Sequence, residues 1–494
     1  MTALRQQAFI NGEWKEARSQ EKFKVLNPAT GETEGEVSDC NADDVADAID
    51  AAKRAFITWR KTMPRERSSI LLKIEAKITA EQNRLAELLT RENGKPLGES
   101  KGEVAFSASF FGWFAGEARR CYGEYVPSPV SSKEFLHIRQ PLGVAGMITP
   151  WNFPIGMLAR KVAAALAAGC TCVLKPAEDT PLIALAFADF ASEYLPKGVL
   201  NIVPCSRKNA ASIGGALCDS SDISVISFTG STEVGKWLYS RSSCTVKRLA
   251  LELGGNAPFI IFSSADMDAA IEGTMASKFR NTGQTCVTAN RIFVASDIHD
   301  AFVKRLKEAM ESDLKLGNGL EAGVNQGPLI NQRQYDRVNR KLNFTNILVS
   351  LVKSGIQEGC QLLLGGTQPH ALGKTFFTPT ILTGARPEMK ICREEIFGPV
   401  VVIIPFDSEK EVIQLANDTR RGLAGYFYSQ DLSQIWRVAK ELEVGMVGVN
   451  EPMVSTCEAA FGGCKESGMG IEGSMHGLDE YTRLKYICFG NIKQ

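Results

Sequence analysis

The sequence predicts an α/β protein built of two doubly wound domains, with a small β element attached. Three observations predict it. Between residues 142 and 230, apolar runs without polar alternation (LGVAGMIT, TCVLKP, GVLNIV, ISVISFTG) alternate with helix-like segments such as RKVAAALAAG and LIALAFADFASEY. That rhythm signals a parallel sheet covered on both faces. After residue 252 it restarts with APFIIF, IFVA, FFTPTIL, VVIIPF and GMVGVN. Finally, 494 residues exceed what a single hydrophobic core supports.

In chain order, 8–37 reads as short strands with Asn-Gly and Thr-Gly turns. From 43 to about 116, apolar residues recur at three- and four-residue spacing, as helices require. The polar, then alternating stretch 121–140 suits a hairpin lying off the main body, and YTRLKYICF near the end alternates like an edge strand. KLNFTNILVSLVK, at 341–353, places a β-rich apolar run where a polar helix was forming and reads as an insertion; its Asn343-Phe-Thr is formally a glycosylation sequon.

Composition excludes several functions. The 56 basic and 56 acidic residues balance, and no basic stripe is present, so nucleic acid is not an expected partner. The most apolar windows are too short and too broken by Gly and Cys to span a membrane. The 13 cysteines are odd in number and scattered, without C-x-x-C, which argues against a disulfide framework or a metal site and for a reducing compartment. The N-terminus lacks the apolar core of a secretory signal. A small molecule and a second copy of the chain are the expected partners.

Several short motifs can carry chemistry. GSTEVGKW (230–237) follows an apolar run and precedes a helix. It fits G-x-x-x-x-G-K, but Trp237 stands where a magnesium-binding hydroxyl belongs, so a dinucleotide pyrophosphate fits better than a nucleoside triphosphate; a plain tight turn is the other reading. In LKPAEDTP, Lys175 and Glu178 suit ribose hydroxyls, and the acid would repel a 2′-phosphate, unless the segment is a surface loop. The stiff TPWNFP loop can fix the Asn152 amide as an oxyanion donor. LELGG puts Glu252 in apolar surroundings, where a carboxyl is tuned toward general base work, or else is a paired structural glutamate. EEIFGP offers Glu395 to a ribose and Phe397 to a nicotinamide ring, or is a structural loop.

NTGQTCVTAN sets Cys286 among small and amide-bearing residues. All four histidines lie in segments that read as surface or termini, so no Cys–His pair is indicated. A thiolate forming when substrate binds is the alternative, with Gly283, Thr285 and Thr288 leaving room for a carbonyl carbon. Cys170 and Cys172 fall on a core strand and read as inert.

The order TPWNFP, LKPAEDTP, FTGSTEVG, LELGG, FRNTGQTCV, EEIFGP resembles the aldehyde dehydrogenase superfamily, from FINGEW to the last strand. The resemblance implies a variant Rossmann NAD-binding domain from 1–120 and 143–254, a catalytic domain at 255–454, and an oligomerisation element from 121–142 and 470–494. It implies Cys286 as nucleophile, Glu252 as base and Asn152 as oxyanion donor, with NAD held by Trp151, Lys175, Glu178, Gly230, Ser231, Gly235, Glu395 and Phe397. NAD is expected over NADP, and dimers or tetramers over monomers. ARKVAAALAAGC, KFRNTGQTCV and GLAGYFYSQD resemble the branch acting on succinate semialdehyde, whose two arginines and serine for the distal carboxylate fall on Arg160, Arg280 and Ser455. A glutarate semialdehyde, a neutral aldehyde, or a non-catalytic crystallin-like role are the alternatives. The expected compartment is cytoplasmic, or the mitochondrial matrix for a chain with a presequence. One departure is Ala460 where the family shows proline, which predicts a looser loop around Ser455.

Overall fold

The computed structural model describes residues 4–336 and 347–491. Its first sheet has eight strands in the spatial order Glu13–Lys15, Ala8–Ile10, Leu200–Ile202, Thr171–Lys175, Val144–Ile148, Ile223–Thr229, Arg248–Glu252, Gly468–Met469. The strands from Leu200–Ile202 to Arg248–Glu252 are parallel. The chain winds outward from Val144–Ile148 on one side and then from Ile223–Thr229 on the other. The strand order therefore reverses between these two, and a crevice opens at their carboxyl ends.

The second sheet has seven strands, in the order Gln361–Leu364, Thr380–Thr383, Val400–Phe406, Ala289–Ala295, Ala257–Ile261, Ala424–Tyr428, Met446–Val449. It too is parallel except at one edge. The expectation of purely parallel sheets is corrected at the edges: Glu13–Lys15, Ala8–Ile10, Gly468–Met469 and Gln361–Leu364 pair antiparallel. A strand arriving at an edge by a hairpin or a return loop needs no crossover helix, so its direction is free. A third, three-stranded sheet joins Glu124–Val126 and Lys133–Pro141 to Thr482–Gly490, which confirms the off-body hairpin and the terminal edge strand.

Helices fall where the periodicity placed them. Asn41 caps Ala42–Trp59 in a full capping box with Asp44. Pro154 opens Pro154–Ala168 at the first turn, and Gly169, at φ 93°, closes it. Every residue of that alanine-rich helix is buried; small side chains let it pack closely against both the sheet and helix Leu97–Ala118. The stretch 341–353 lies partly outside the described residues, as does Asn343. What is described of it begins helix Ile347–Gln357, not a strand, with Leu348, Leu351 and Val352 buried on one face. The i, i+3, i+4 spacing outweighs β-branched composition there.

Gly94 ends helix Gln82–Asn93 at φ 90°, and a Cβ there would stand 2.7 Å from Pro328 and 2.8 Å from Pro28. Gly94→Ala therefore combines a left-handed penalty with two rigid contacts. It should cost about 2 kcal/mol or more, seen as a lower thermal unfolding midpoint.

Candidate active site

The two sheets meet through one short connection. Strand Arg248–Glu252 ends at Glu252; Leu253-Gly-Gly-Asn256 follows, and Ala257–Ile261 begins the second sheet. The carboxyl edge of the first sheet thus faces the amino edge of the second. A Cβ on Gly254 would lie 2.7 Å from the Glu395 carboxylate, and one on Gly255 would lie 2.3 Å from the carbonyl oxygen of Cys286. The paired glycines let three motifs close on one point.

The Cys286 loop explains its own composition. Asn281 and Thr282 are held at φ 50° and 56°, a left-handed conformation that costs a β-branched residue most. Side chains compel it. Asn281 N–H donates to Glu99 at 2.8 Å, and Thr282 Oγ1 both donates to Gly327 O and accepts from Gly327 N–H, each at 3.1 Å. Gln284 Nε2 donates to Asn281 O, and Gln284 Oε1 accepts from Ile330 N–H. The amide-bearing neighbours are the scaffold of the loop. The reading of Gly283 as room for substrate is corrected: its missing Cβ would stand 2.3 Å from Gly398 O, so the glycine admits backbone. Thr288 is buried and donates to Ser277 O; Thr285 does line the pocket.

That pocket gathers Cys286 with Asn152, Arg160, Arg280 and Ser455, walled by Phe106, Phe153 and Phe461. Cys286 is half-buried. Burial first, and the Glu252 carboxylate next, push its thiol well above the ordinary range, while Arg160 pulls the other way. Glu252 is buried but not in purely apolar surroundings as the sequence suggested. Its Oε2 accepts from Arg160 Nη2 at 2.8 Å, while the buried Oε1 has no conventional hydrogen-bond partner. Arg160 in turn pairs through Nε with Glu472 and stacks 4.1 Å from the Phe461 ring; Glu472 also pairs with Lys161. Arg160, expected as a substrate ligand, reaches the pocket but is equally the counter-ion of Glu252. Arg280 has no carboxylate within ion-pair distance among the described residues and lies 4.9 Å over the Phe153 ring. Next to Ala460, Phe461 and Glu472 exchange two backbone hydrogen bonds of 2.8 Å, which fix the chain at that point.

The crevice holds the remaining expected residues. Gly230 and Ser231 form the turn into helix Thr232–Ser242; Ser231 caps it, and Gly230 N–H donates to Glu252 O. Gly235 lies one turn inside the helix, where Leu253 fills the place a side chain would take, so packing accounts for it. Lys175 is buried at a strand end with Glu178 at 3.9 Å; Arg207 and Arg333 flank the same carboxylate at 3.8 and 3.7 Å. Trp151 meets Phe397 edge-on at 5.5 Å, and Glu395 accepts from Gly255 N–H at 2.9 Å and pairs with Arg421. Sequence reasoning missed Asn93, Lys95, Glu99, Glu103, Lys161 and Glu472. The only signals were a lysine between Gly94 and Pro96 and acids inside otherwise buried stretches.

Residues 14–487 match the aldehyde dehydrogenase family. The chain belongs to that family. It is 50% identical to the human mitochondrial succinate-semialdehyde dehydrogenase over 99% of this chain and 89% of that protein. It is 46% identical to the glutarate-semialdehyde dehydrogenase of Pseudomonas aeruginosa over 99% and 98%. Among solved structures, the succinate-semialdehyde dehydrogenase of Burkholderia pseudomallei superposes with a TM-score of 0.94 at 47% identity, covering 99% and 98% of the two chains. An NADP-dependent enzyme of E. coli superposes at 0.95 and 45%, with the same coverage. Betaine aldehyde dehydrogenase of Staphylococcus aureus in complex with NAD+ superposes at 0.94 and 34%, covering 99% and 96%. This aldehyde dehydrogenase is an oxidoreductase that acts on small aldehydes with a nicotinamide cofactor. Among the described residues no helix is long and apolar enough to cross a membrane, and no three His, Cys, Asp or Glu side chains gather as a metal site.

Because the Glu252 carboxylate raises the Cys286 thiol, Glu252→Gln should shift the pH profile of Cys286 alkylation by iodoacetamide to lower pH, with faster labelling at neutral pH. Mass spectrometry of the Cys286 peptide reads it; an unmoved profile would separate the two residues.

Proposed function

We propose that this aldehyde dehydrogenase oxidises succinate semialdehyde to succinate, with NAD as the preferred acceptor. The observation that carries the reading is Arg280: a guanidinium without an ion-pair partner among the described residues, on the wall of the pocket that holds Cys286, beside Ser455. A cation set back from the nucleophile suits an aldehyde with a carboxylate at its far end. The human and Burkholderia relatives support it by name. Glutarate semialdehyde is the second reading, favoured by the Pseudomonas relative.

In this scheme the Cys286 sulfur attacks the aldehyde carbon, and the thiol proton passes to the Glu252 carboxylate. The oxyanion is held by Asn152 Nδ2–H and the Cys286 backbone N–H. The bound nicotinamide ring supplies a hydride acceptor. Once the thiohemiacetal has given up its hydride, Cys286 carries a thioester. Glu252, having released the first proton to solvent, then takes a proton from water; the hydroxyl adds to the thioester carbon, the C–S bond breaks, and the acid product leaves as the Cys286 sulfur takes a proton back from Glu252. The bond from Arg160 Nη2 to Glu252 Oε2 holds the carboxylate in place and leaves Oε1 for each proton.

The residues present fit a dinucleotide. Thr229 Oγ1 and Thr232 Oγ1, buried on either side of the Gly230-Ser231 turn, have no hydrogen-bond partner, and the turn aims helix N–H groups at the crevice. Lys175 and Glu178 would take the adenosine ribose, Glu395 the second ribose, and Trp151 with Phe397 the nicotinamide edge. The half-buried Glu178 carboxylate disfavours a 2′-phosphate, although three cations flank it. We assign cofactor binding to 1–120 and 143–254, catalysis to 255–454, and subunit contact to 121–142 with 470–494. The third sheet supports the last assignment, with Tyr125, Leu484, Tyr486 and Phe489 exposed along it, fit to join two or four copies. All thirteen cysteines are unpaired, which suits the cytoplasm or the mitochondrial matrix.

Steady-state kinetics test the reading. Cys286→Ala should abolish oxidation and keep cofactor binding. Arg280→Ala should raise KM for succinate semialdehyde about tenfold to a hundredfold, the worth of one charge-assisted contact, and leave that for butyraldehyde nearly unchanged. Equal effects on both aldehydes would end the carboxylate assignment.

A further inference from the structure

Lys95 and Glu103 form an ion pair at 2.5 Å with both side chains fully buried, in a segment that no motif of the family signature includes. Removing two charges from water is expensive, and a well-packed apolar pair often serves stability as well or better. What this pair touches gives it another purpose. Lys95 Nζ also donates to Asn152 O at 2.7 Å and lies 3.9 Å over the Phe153 ring. Glu103 Oε1 accepts from the N–H groups of Ile155 and Gly156 at 3.1 and 3.2 Å, the first free donors of helix Pro154–Ala168. Asn93 Nδ2 adds a bond of 2.8 Å to Trp151 O. Both charges therefore end on the loop that carries Asn152.

A continuous path leads from the cation to the pocket. The Lys95 ammonium binds the oxygen of the peptide joining residues 152 and 153. The N–H of that same peptide, from Phe153, donates to Asn152 Oδ1 at 3.1 Å. A peptide polarised at its oxygen is a stronger donor at its N–H. Because Phe153 N–H is buried and must be met, it fixes which end of the Asn152 side chain is oxygen and turns Nδ2 outward. One Nδ2 proton goes to Gln284 O at 3.2 Å. The other is free for a ligand beside Cys286, on the shared wall of the pocket.

We propose that Lys95, held by Glu103, is a positioning residue for the oxyanion: its charge acts through the 152–153 peptide to orient and strengthen the Asn152 donor. The proposal rests on the assignment of the oxyanion to Asn152 made above. A residue that only props the fold would disturb the whole loop; Lys95 acts on steps that place negative charge on the aldehyde oxygen.

The test uses the full chain saturated with NAD. Lys95→Met/Glu103→Gln removes both charges together, so neither is left buried alone, and Lys95→Gln/Glu103→Gln provides a second, more polar version for the case where the first does not fold. Each is made in the wild-type and in the Asn152→Ala background. Aldehyde oxidation is measured beside alkylation of Cys286 by iodoacetamide, a displacement that forms no oxyanion. The expected result is a fall of about tenfold or more in kcat, up to the roughly hundredfold to thousandfold lost when an oxyanion donor is removed outright, with KM and the alkylation rate nearly unchanged. In the Asn152→Ala background the charge-removing pair should have almost no further effect. Equal loss of alkylation, an undiminished effect without Asn152, or full kcat in the double variants would each overturn the proposal. Full turnover by Asn152→Ala alone would overturn the oxyanion assignment as well, which separates failure of that reading from failure of this one.

Discussion

Gly255 cannot carry a side chain, because a Cβ there would stand 2.3 Å from the carbonyl oxygen of Cys286. The rest of the site depends on that contact. It lets the connection between the two sheets run directly beneath the Cys286 loop, so that Glu252, at the end of one sheet, reaches the thiol carried at the start of the other. The thiol is set on rigid backbone: three successive left-handed residues, Asn281, Thr282 and Gly283, are held in place by neighbouring side chains. Strain of this kind persists only where the surroundings over-determine it.

Around the pocket the protein spends charge where stability alone would call for hydrocarbon. Arg160 joins Glu252 to Glu472, Lys161 joins Glu472 to Ser227, and Lys95 joins Glu103 to the Asn152 loop, with Lys95, Arg160 and Lys161 all inside. Each pair carries a desolvation cost. Each also fixes the position of a group at the pocket: Arg160 holds the Glu252 carboxylate, and Lys95 holds the backbone of Asn152. Arg280 is the exception: among the described residues this pocket cation has no carboxylate within ion-pair distance, and the proposed selectivity for a semialdehyde acid rests on it.

Most of the architecture was legible from apolar runs and their spacing, because buried parallel strands and amphipathic helices leave those marks directly. The failures are local. The edge strand Gly468–Met469 is two residues long and carries no pattern, and Ala424–Tyr428, next to the edge of the second sheet, mixes glycine with tyrosine. The helical start of Ile347–Gln357 is β-rich in composition, and only its i, i+3, i+4 spacing marks the helix. Lys95 and Glu103 were invisible because they lie far from residue 152 in the chain, and a lysine before a proline reads as a turn on the surface.

The sequence by itself determined the family and singled out Cys286, Glu252 and Asn152 as candidates for nucleophile, base and amide donor, since short motifs bear residue types that this chemistry needs in that order. Only the tertiary structure decided what each group faces. It showed that Arg160 is shared with Glu252, that Gly283 and Gly235 serve backbone and side-chain packing, and that a buried ion pair stands behind Asn152. The physical reason is that residue type sets what a group can do, whereas its charge, orientation and accessibility depend on neighbours that the fold brings from distant parts of the chain.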